Sequence, residues 1–100
     1  MALYVLHCID KEGTLEQRFA TRPAHIARLE QLDAEGRLLT AGAMPKQRDN
    51  PQAGFYGSVM IVDFDSREAL DAWLADEPFL KAGVYECIDV RPFNKAFPKD

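Results

Sequence analysis

Apolar residues recur along the chain with two different spacings, and the switches between them mark out the elements. Residues 2–9 alternate Leu3, Val5, His7 and Ile9 on one side with Ala2, Tyr4, Leu6 and Cys8 on the other, then stop at Asp10, Lys11, Glu12 and Gly13. That pattern, free of Gly and Pro, predicts a strand followed by a turn. Thr14 is placed to cap a short helical turn through Arg18. Thr21 then precedes Arg22 and Pro23, and proline suits a first helical position because its missing N–H has no partner there in any case. The expected helix runs from Pro23 to Glu35, stops at Gly36, and turns Ile26, Leu29 and Leu32 to one face.

Residues 37–43 predict a second strand. The polar stretch from Pro45 to Gly54 has no apolar period and reads as a loop long enough to be functional or mobile. Residues 56–64 predict a third strand. Ser66 is placed to cap a second helix, whose apolar face is Ala69, Leu70, Trp73 and Leu74, and Pro78 ends or kinks it. A further turn from Phe79 to Ala82 stops at Gly83. Residues 84–93 alternate as a fourth strand, and residues 94–100 form a tail with Phe93 and Phe97 as expected aromatic anchors.

Strand, helix, strand, strand, helix, strand is the split βαβ order. It predicts an α+β, ferredoxin-like domain, βαββαβ, with both helices on one face of a four-stranded antiparallel sheet. The first strand is mostly apolar on both sides, whereas an antiparallel sheet with one solvated face alternates apolar with polar. The second face is therefore expected to be covered, most simply by the sheet of another copy in a homodimer.

Composition narrows the function classes. At 100 residues the chain is expected to be one domain, 1–100, and its net charge of −4 with scattered basic residues disfavours a nucleic-acid partner. No run approaches the roughly 20 apolar residues of a membrane span. The first residues read as a strand and not as a signal peptide, so a cytoplasmic location and reduced Cys8 and Cys87 are expected. His7, Cys8, His25 and Cys87 lack zinc-site spacing, and there is no glycine-rich nucleotide loop. No metal and no cofactor is therefore expected.

The candidate chemistry centres on His25, which projects among the apolar residues of the first helix. Its ring is either a core histidine bonded to a backbone carbonyl or water, or a general acid or base lining a pocket. Asp76 and Glu77 stand before Pro78. Both read as solvated helix-end acids, Asp76 the more so, with an orienting role toward His25 open to Glu77. Ser58 faces either a pocket or outward, in a context unlike a nucleophile elbow. Arg22 is either an anion ligand beside the positive start of the helix or a surface ion-pair partner. His7 reads as a sheet-face or interface residue.

Taken in order, Tyr4-Val5, Arg22-Pro23-Ala24-His25, residues 36–42, Ala53-Gly54-Phe55 with Gly57-Ser58, Glu77-Pro78-Phe79, Ala82-Gly83-Val84-Tyr85 and Val90-Arg91-Pro92-Phe93 resemble the YciI-like family over nearly the whole chain. The resemblance implies a ferredoxin-like fold in the dimeric α/β barrel superfamily, which also includes muconolactone isomerase, and a homodimer with sheets packed face to face. It also implies a histidine–aspartate pair in a pocket. His25 holds the histidine position, and Glu77 stands where the family has the aspartate of an Asp-Pro-aromatic motif. Glutamate keeps the charge but adds a methylene. The family pattern also places Ser58 and Arg22 near the pocket as substrate-binding residues.

Two functions fit the sequence, the first implied by that resemblance and the second by the small size of the domain and its lack of a strong catalytic signature. One is a cofactor-independent enzyme in which His25 moves a proton and Glu77 orients it, with Ser58 or Arg22 holding an oxyanion or carboxylate. Its reaction would be isomerisation, elimination or dehalogenation of a small molecule, aromatic compounds included, as in family members that dehydrochlorinate chlorinated hydroquinones. The other is a non-catalytic dimeric module that binds a small ligand or partner protein. Haem or electron-transfer chemistry, known among barrel relatives, has no support here beyond fold analogy.

Overall fold

The structure is a computed structural model that describes residues 2–99; Met1 and Asp100, included in the expected domain and tail, lie outside them. The elements in order are β1 (Leu3–Asp10), α1 (Leu15–Ala34), β2 (Leu38–Pro45), β3 (Phe55–Asp63), α2 (Arg67–Ala75), α3 (Pro78–Lys81) and β4 (Tyr85–Phe93). The strands form one antiparallel sheet in the order β2-β3-β1-β4. This is the expected α+β, four-stranded architecture, with the second helical region split by Pro78 into α2 and α3.

The period-2 pattern sorts the sheet into two faces. Leu6 and Cys8 of β1, and Met60 and Val62 of β3, are wholly buried beneath the helices, together with Leu70 of α2 and Val84. On the opposite face Val5 stands between Ile61 and Arg91, and His7 between Val59 and Asp89. Leu3, Val5 and Ile9 there are only half-buried, and His7 is exposed. Strand alternation also separates the cysteines. Cys8 pairs with Ile88 and faces the helices, while Cys87 pairs with Ile9 and is exposed, and both are free thiols.

The first helix departs from expectation. It is one continuous helix of 20 residues with Pro23 inside it, not a short turn followed by a new start at Thr21. An internal proline costs about 3 kcal/mol through its lost N–H and ring clash. Packing outweighs that local cost, because Arg18, His25, Leu29 and Leu32 form one buried stripe that only an unbroken helix aligns on the sheet. Thr14 occupies the N-cap position but its side chain caps nothing; its hydroxyl donates instead to the Lys11 carbonyl at 2.8 Å. Ser66 does cap α2, accepting the Ala69 N–H at 3.1 Å.

Two further details bear on the site. The expected loop from Pro45 starts one residue later, because Pro45 still pairs with Phe55 at the end of β2; residues 46–54 contain one 3₁₀ turn, Pro51–Ala53, with the Asn50 side chain accepting the Gln52 N–H at its start. A Cβ at Gly57 would lie 1.7 Å from the Cys8 carbonyl oxygen, so glycine there lets β3 close onto β1 just before Ser58. In the tail Phe97 is 75% exposed, with Lys99 Nζ 5.4 Å from its ring centroid, and is not a buried anchor, while Phe93 is half-buried opposite Leu3. No helix among the described residues is long and apolar enough to cross a membrane.

Candidate functional site

A cavity of about 370 Å³ opens between α1, the start of β3, the end of β2 and the Pro51–Ala53 turn. Its wall includes Arg18, Arg22, His25, Phe55, Ser58 and Phe79. All three candidates outside the acid pair, His25, Ser58 and Arg22, therefore meet at one hollow.

His25 reaches it from the middle of α1. Its Nδ1 lies 2.5 Å from Glu77 Oε1, and the two side chains are 9% and 1% exposed. The ring stacks on Phe79 with centroids 4.2 Å apart and planes 30° from parallel. Nδ1 is thus taken by the carboxylate, and a neutral imidazole so held carries its proton there and leaves Nε2 as an acceptor. The main-chain alternative for His25 is not what the geometry contains.

Glu77 is fixed by the break between α2 and α3. Pro78 forces the preceding residue out of helical geometry, and Glu77 sits at φ −64° and ψ 119° as the N-cap of α3, its Oε1 accepting the Phe79 N–H at 3.5 Å. The longer side chain still delivers one oxygen to the ring. Its Oε2 is buried and has no hydrogen-bond partner among the described residues. Asp76 points away, exposed, with Lys81 Nζ 3.9 Å from its carboxylate. The acid beside His25 is Glu77.

Ser58 faces inward and is 3% exposed. Its Oγ accepts a hydrogen bond from Arg18 Nη2 at 2.8 Å. Arg22 corrects the helix-start argument: it lies mid-helix, so no positive helix end supports it, yet its exposed side chain still borders the cavity.

Arg18 and Asp10 were not singled out from sequence. Arg18 is 5% exposed. Its Nη1 donates to both Asp10 oxygens at 2.8 and 2.9 Å. Its guanidinium lies 4.5 Å from the Phe55 ring centroid and 4.8 Å from that of Phe79. Burial pushes the Asp10 carboxyl up from its ordinary value, with Arg18 pulling against it. The missed signal was in the helix: Arg18 and His25 are seven residues apart, hence on one face, but only if α1 runs through Pro23.

Behind the cavity lie Cys8 and Tyr85. Burial pushes the Cys8 thiol up to about 12, so it stays a thiol at neutral pH. Burial likewise raises the Tyr85 phenol, with Cys8 adding to the rise. Ser58 is close enough to Tyr85 to oppose that rise, but the phenol oxygen makes no hydrogen bond of ordinary geometry among the described residues. No cluster of three or more His, Cys, Asp or Glu able to hold a metal occurs among them either.

The βαββαβ order, with the helices over one face of a four-stranded antiparallel sheet ordered β2-β3-β1-β4, defines a ferredoxin-like domain. Residues 2–94 match the YCII-related domain, and the chain belongs to that family. Protein YciI of Escherichia coli O6:H1 is 52% identical over 97 residues, covering 95% of this chain and 99% of that protein. A Haemophilus influenzae protein is 49% identical over 96 residues, covering 94% and 98%. Among solved structures, the chain resembles 5-chloro-2-hydroxyhydroquinone dehydrochlorinase (TftG) of Burkholderia phenoliruptrix in complex with 2,5-dihydroxybenzoquinone. That likeness has a TM-score of 0.81 at 25% identity, covering 92% of this chain and 93% of the other.

Proposed function

We propose that the chain is a cofactor-independent enzyme that transfers a proton on a small, single-ring or similarly compact molecule, in an isomerisation, elimination or dehalogenation. The observation that carries this reading is the buried His25–Glu77 contact at the edge of a cavity of about 370 Å³. Nε2 of His25 takes a proton from the substrate. Glu77 keeps the ring in the Nδ1–H tautomer and stabilises the imidazolium that results. The electron pair left behind either moves within the substrate, so that the proton returns at another atom, or expels a leaving group as an anion. Arg22 at the cavity edge offers that anion, or a substrate carboxylate, a cationic neighbour.

The dehydrochlorinase named among the similar structures supports this class without transferring its substrate. The same reading includes a homodimer formed through the open sheet face, where Val5, Val59 and Ile61 present apolar side chains. The test is proton exchange in D2O, followed by NMR, on a panel of small enolisable and hydroxyquinol compounds, 5-chloro-2-hydroxyhydroquinone included. Wild type is expected to accelerate exchange or chloride release on at least one, with His25→Gln slower by about 10²-fold or more. Equal rates for the two proteins would refute the mechanism. Binding without any exchange would favour the non-catalytic module.

A further inference from the structure

The buried Arg18 is not needed to hold His25, and it borders the same cavity. Burying a guanidinium is costly unless its donors are matched, and here Asp10 neutralises it while Phe55 and Phe79 pack on its faces. What that arrangement fixes is the Ser58 hydroxyl. A serine oxygen has one proton to donate and lone pairs to accept. Arg18 Nη2 donates to Ser58 Oγ at 2.8 Å, so the serine proton must point elsewhere. Among the described residues Ser58 makes no hydrogen bond as a donor, and the nearby Tyr85 oxygen is itself unpartnered. The proton can therefore be offered to that phenol oxygen or to an acceptor in the cavity that Ser58 lines, and a bound oxyanion, being charged, is the stronger acceptor of the two.

We propose that Asp10, Arg18 and Ser58 form a preset oxygen-binding site, in which Arg18 aims the Ser58 hydroxyl at an enolate or phenolate oxygen of the bound substrate. This rests on the proposed proton transfer and narrows its substrate to compounds with an ionised or ionising oxygen conjugated to the reacting carbon. Taking a proton from such a carbon sends the electron pair onto that oxygen, where a fixed donor in a water-poor wall is most effective. Arg18 is a positioning residue here: its charge is met by Asp10 and its effect passes through Ser58. The site's fixed charges otherwise are Arg22 at the edge and Glu77 beside His25.

The test uses 4-nitrophenolate as the anionic probe and 4-nitroanisole, its neutral methyl ether, as the control, titrated by absorbance and calorimetry at a pH where the phenol is ionised. The expected result is a preference of the wild type for the phenolate of about tenfold or more, reduced about tenfold in Ser58→Ala, with anisole affinity unchanged; one hydrogen bond to a charged oxygen has that worth. Arg18→Met/Asp10→Asn, which removes both charges together, should lose the same preference. Arg22→Ala should weaken phenolate binding but leave the Ser58→Ala effect intact. An unchanged preference in Ser58→Ala, or one abolished by Arg22→Ala alone, overturns the proposal, as does a wild type that binds neither probe or both equally. Failure of the proton-transfer reading looks different, because His25→Gln then leaves turnover of an identified substrate untouched while the phenolate preference stands.

Discussion

Removing the charge of Arg18 while leaving Asp10 in place should cost more stability than any surface change. Arg18→Met keeps the aliphatic stem but strips two donors from a carboxylate that is 8% exposed and one from Ser58. Breaking a buried pair by removing one partner typically costs about 3–5 kcal/mol, because the other charge is left buried alone. For a domain of this size about 1 kcal/mol moves Tm by roughly 4–8 °C, so a fall of at least about 12 °C is expected. The double variant Arg18→Met/Asp10→Asn should recover much of that loss. The pH dependence has a definite sign. Burial already raises the Asp10 carboxyl, and without Arg18 to oppose it the folded-state value must rise further. A raised folded value means the contribution is fully favourable below the unfolded value of about 3.9 and is lost as pH rises through the folded one. The Arg18→Met penalty should therefore be largest near neutrality and shrink toward about pH 4. Urea unfolding at matched protomer concentration measures it, since association would shift apparent stability. A penalty under about 1 kcal/mol, the range of surface pairs, or one independent of pH, would refute the reasoning.

Three other outcomes are expected. Ellman's reagent at mildly alkaline pH should label Cys87 readily and Cys8 only on unfolding, since one is exposed and the other buried with its thiol pushed up to about 12; equal rates would contradict this. If the proposed homodimer uses the sheet face away from the helices, wild type should sediment as a dimer and Ile61→Lys as a monomer with little change in far-UV circular dichroism, and equal masses would remove that face as the interface. Leu6→Ala, at a wholly buried position under the helices, should cost about 2–5 kcal/mol in denaturant unfolding, and a cost below that range would mean the core closes around the gap.

The order of elements was legible because the apolar period changes cleanly from strand to helix, and Ser66 and Gly36 stand where their chemistry stops or starts a helix. The misreading came at Pro23, where local chemistry argued for a helix start and tertiary packing held one helix through it. That error also hid Arg18, whose place on the His25 face depends on an unbroken helix. Asp10 was unreadable for another reason: it is a strand-end acid until α1 folds back and puts a guanidinium on it. His25 was visible as a polar residue in an apolar stripe. The choice of Glu77 over Asp76 came only from the match of Glu77-Pro78-Phe79 to the family's motif, and its physical cause, Pro78 fixing which of two adjacent acids turns inward, shows only in the fold. Phe97 misled in the opposite sense, since an aromatic side chain near a chain end need not pack on its own domain.

The account depends most on the state of one imidazole, and ¹⁵N NMR of histidine-labelled protein reads it directly. With His7→Gln used to assign the two rings, the neutral His25 ring should be the Nδ1–H tautomer, with a strongly deshielded Nδ1 proton. That proton signal should be lost in Glu77→Gln, and Nε2 should be unprotonated and shift when a small phenolate enters the cavity. A His25 ring found as the Nε2–H tautomer, or one unchanged by Glu77→Gln, would contradict the account.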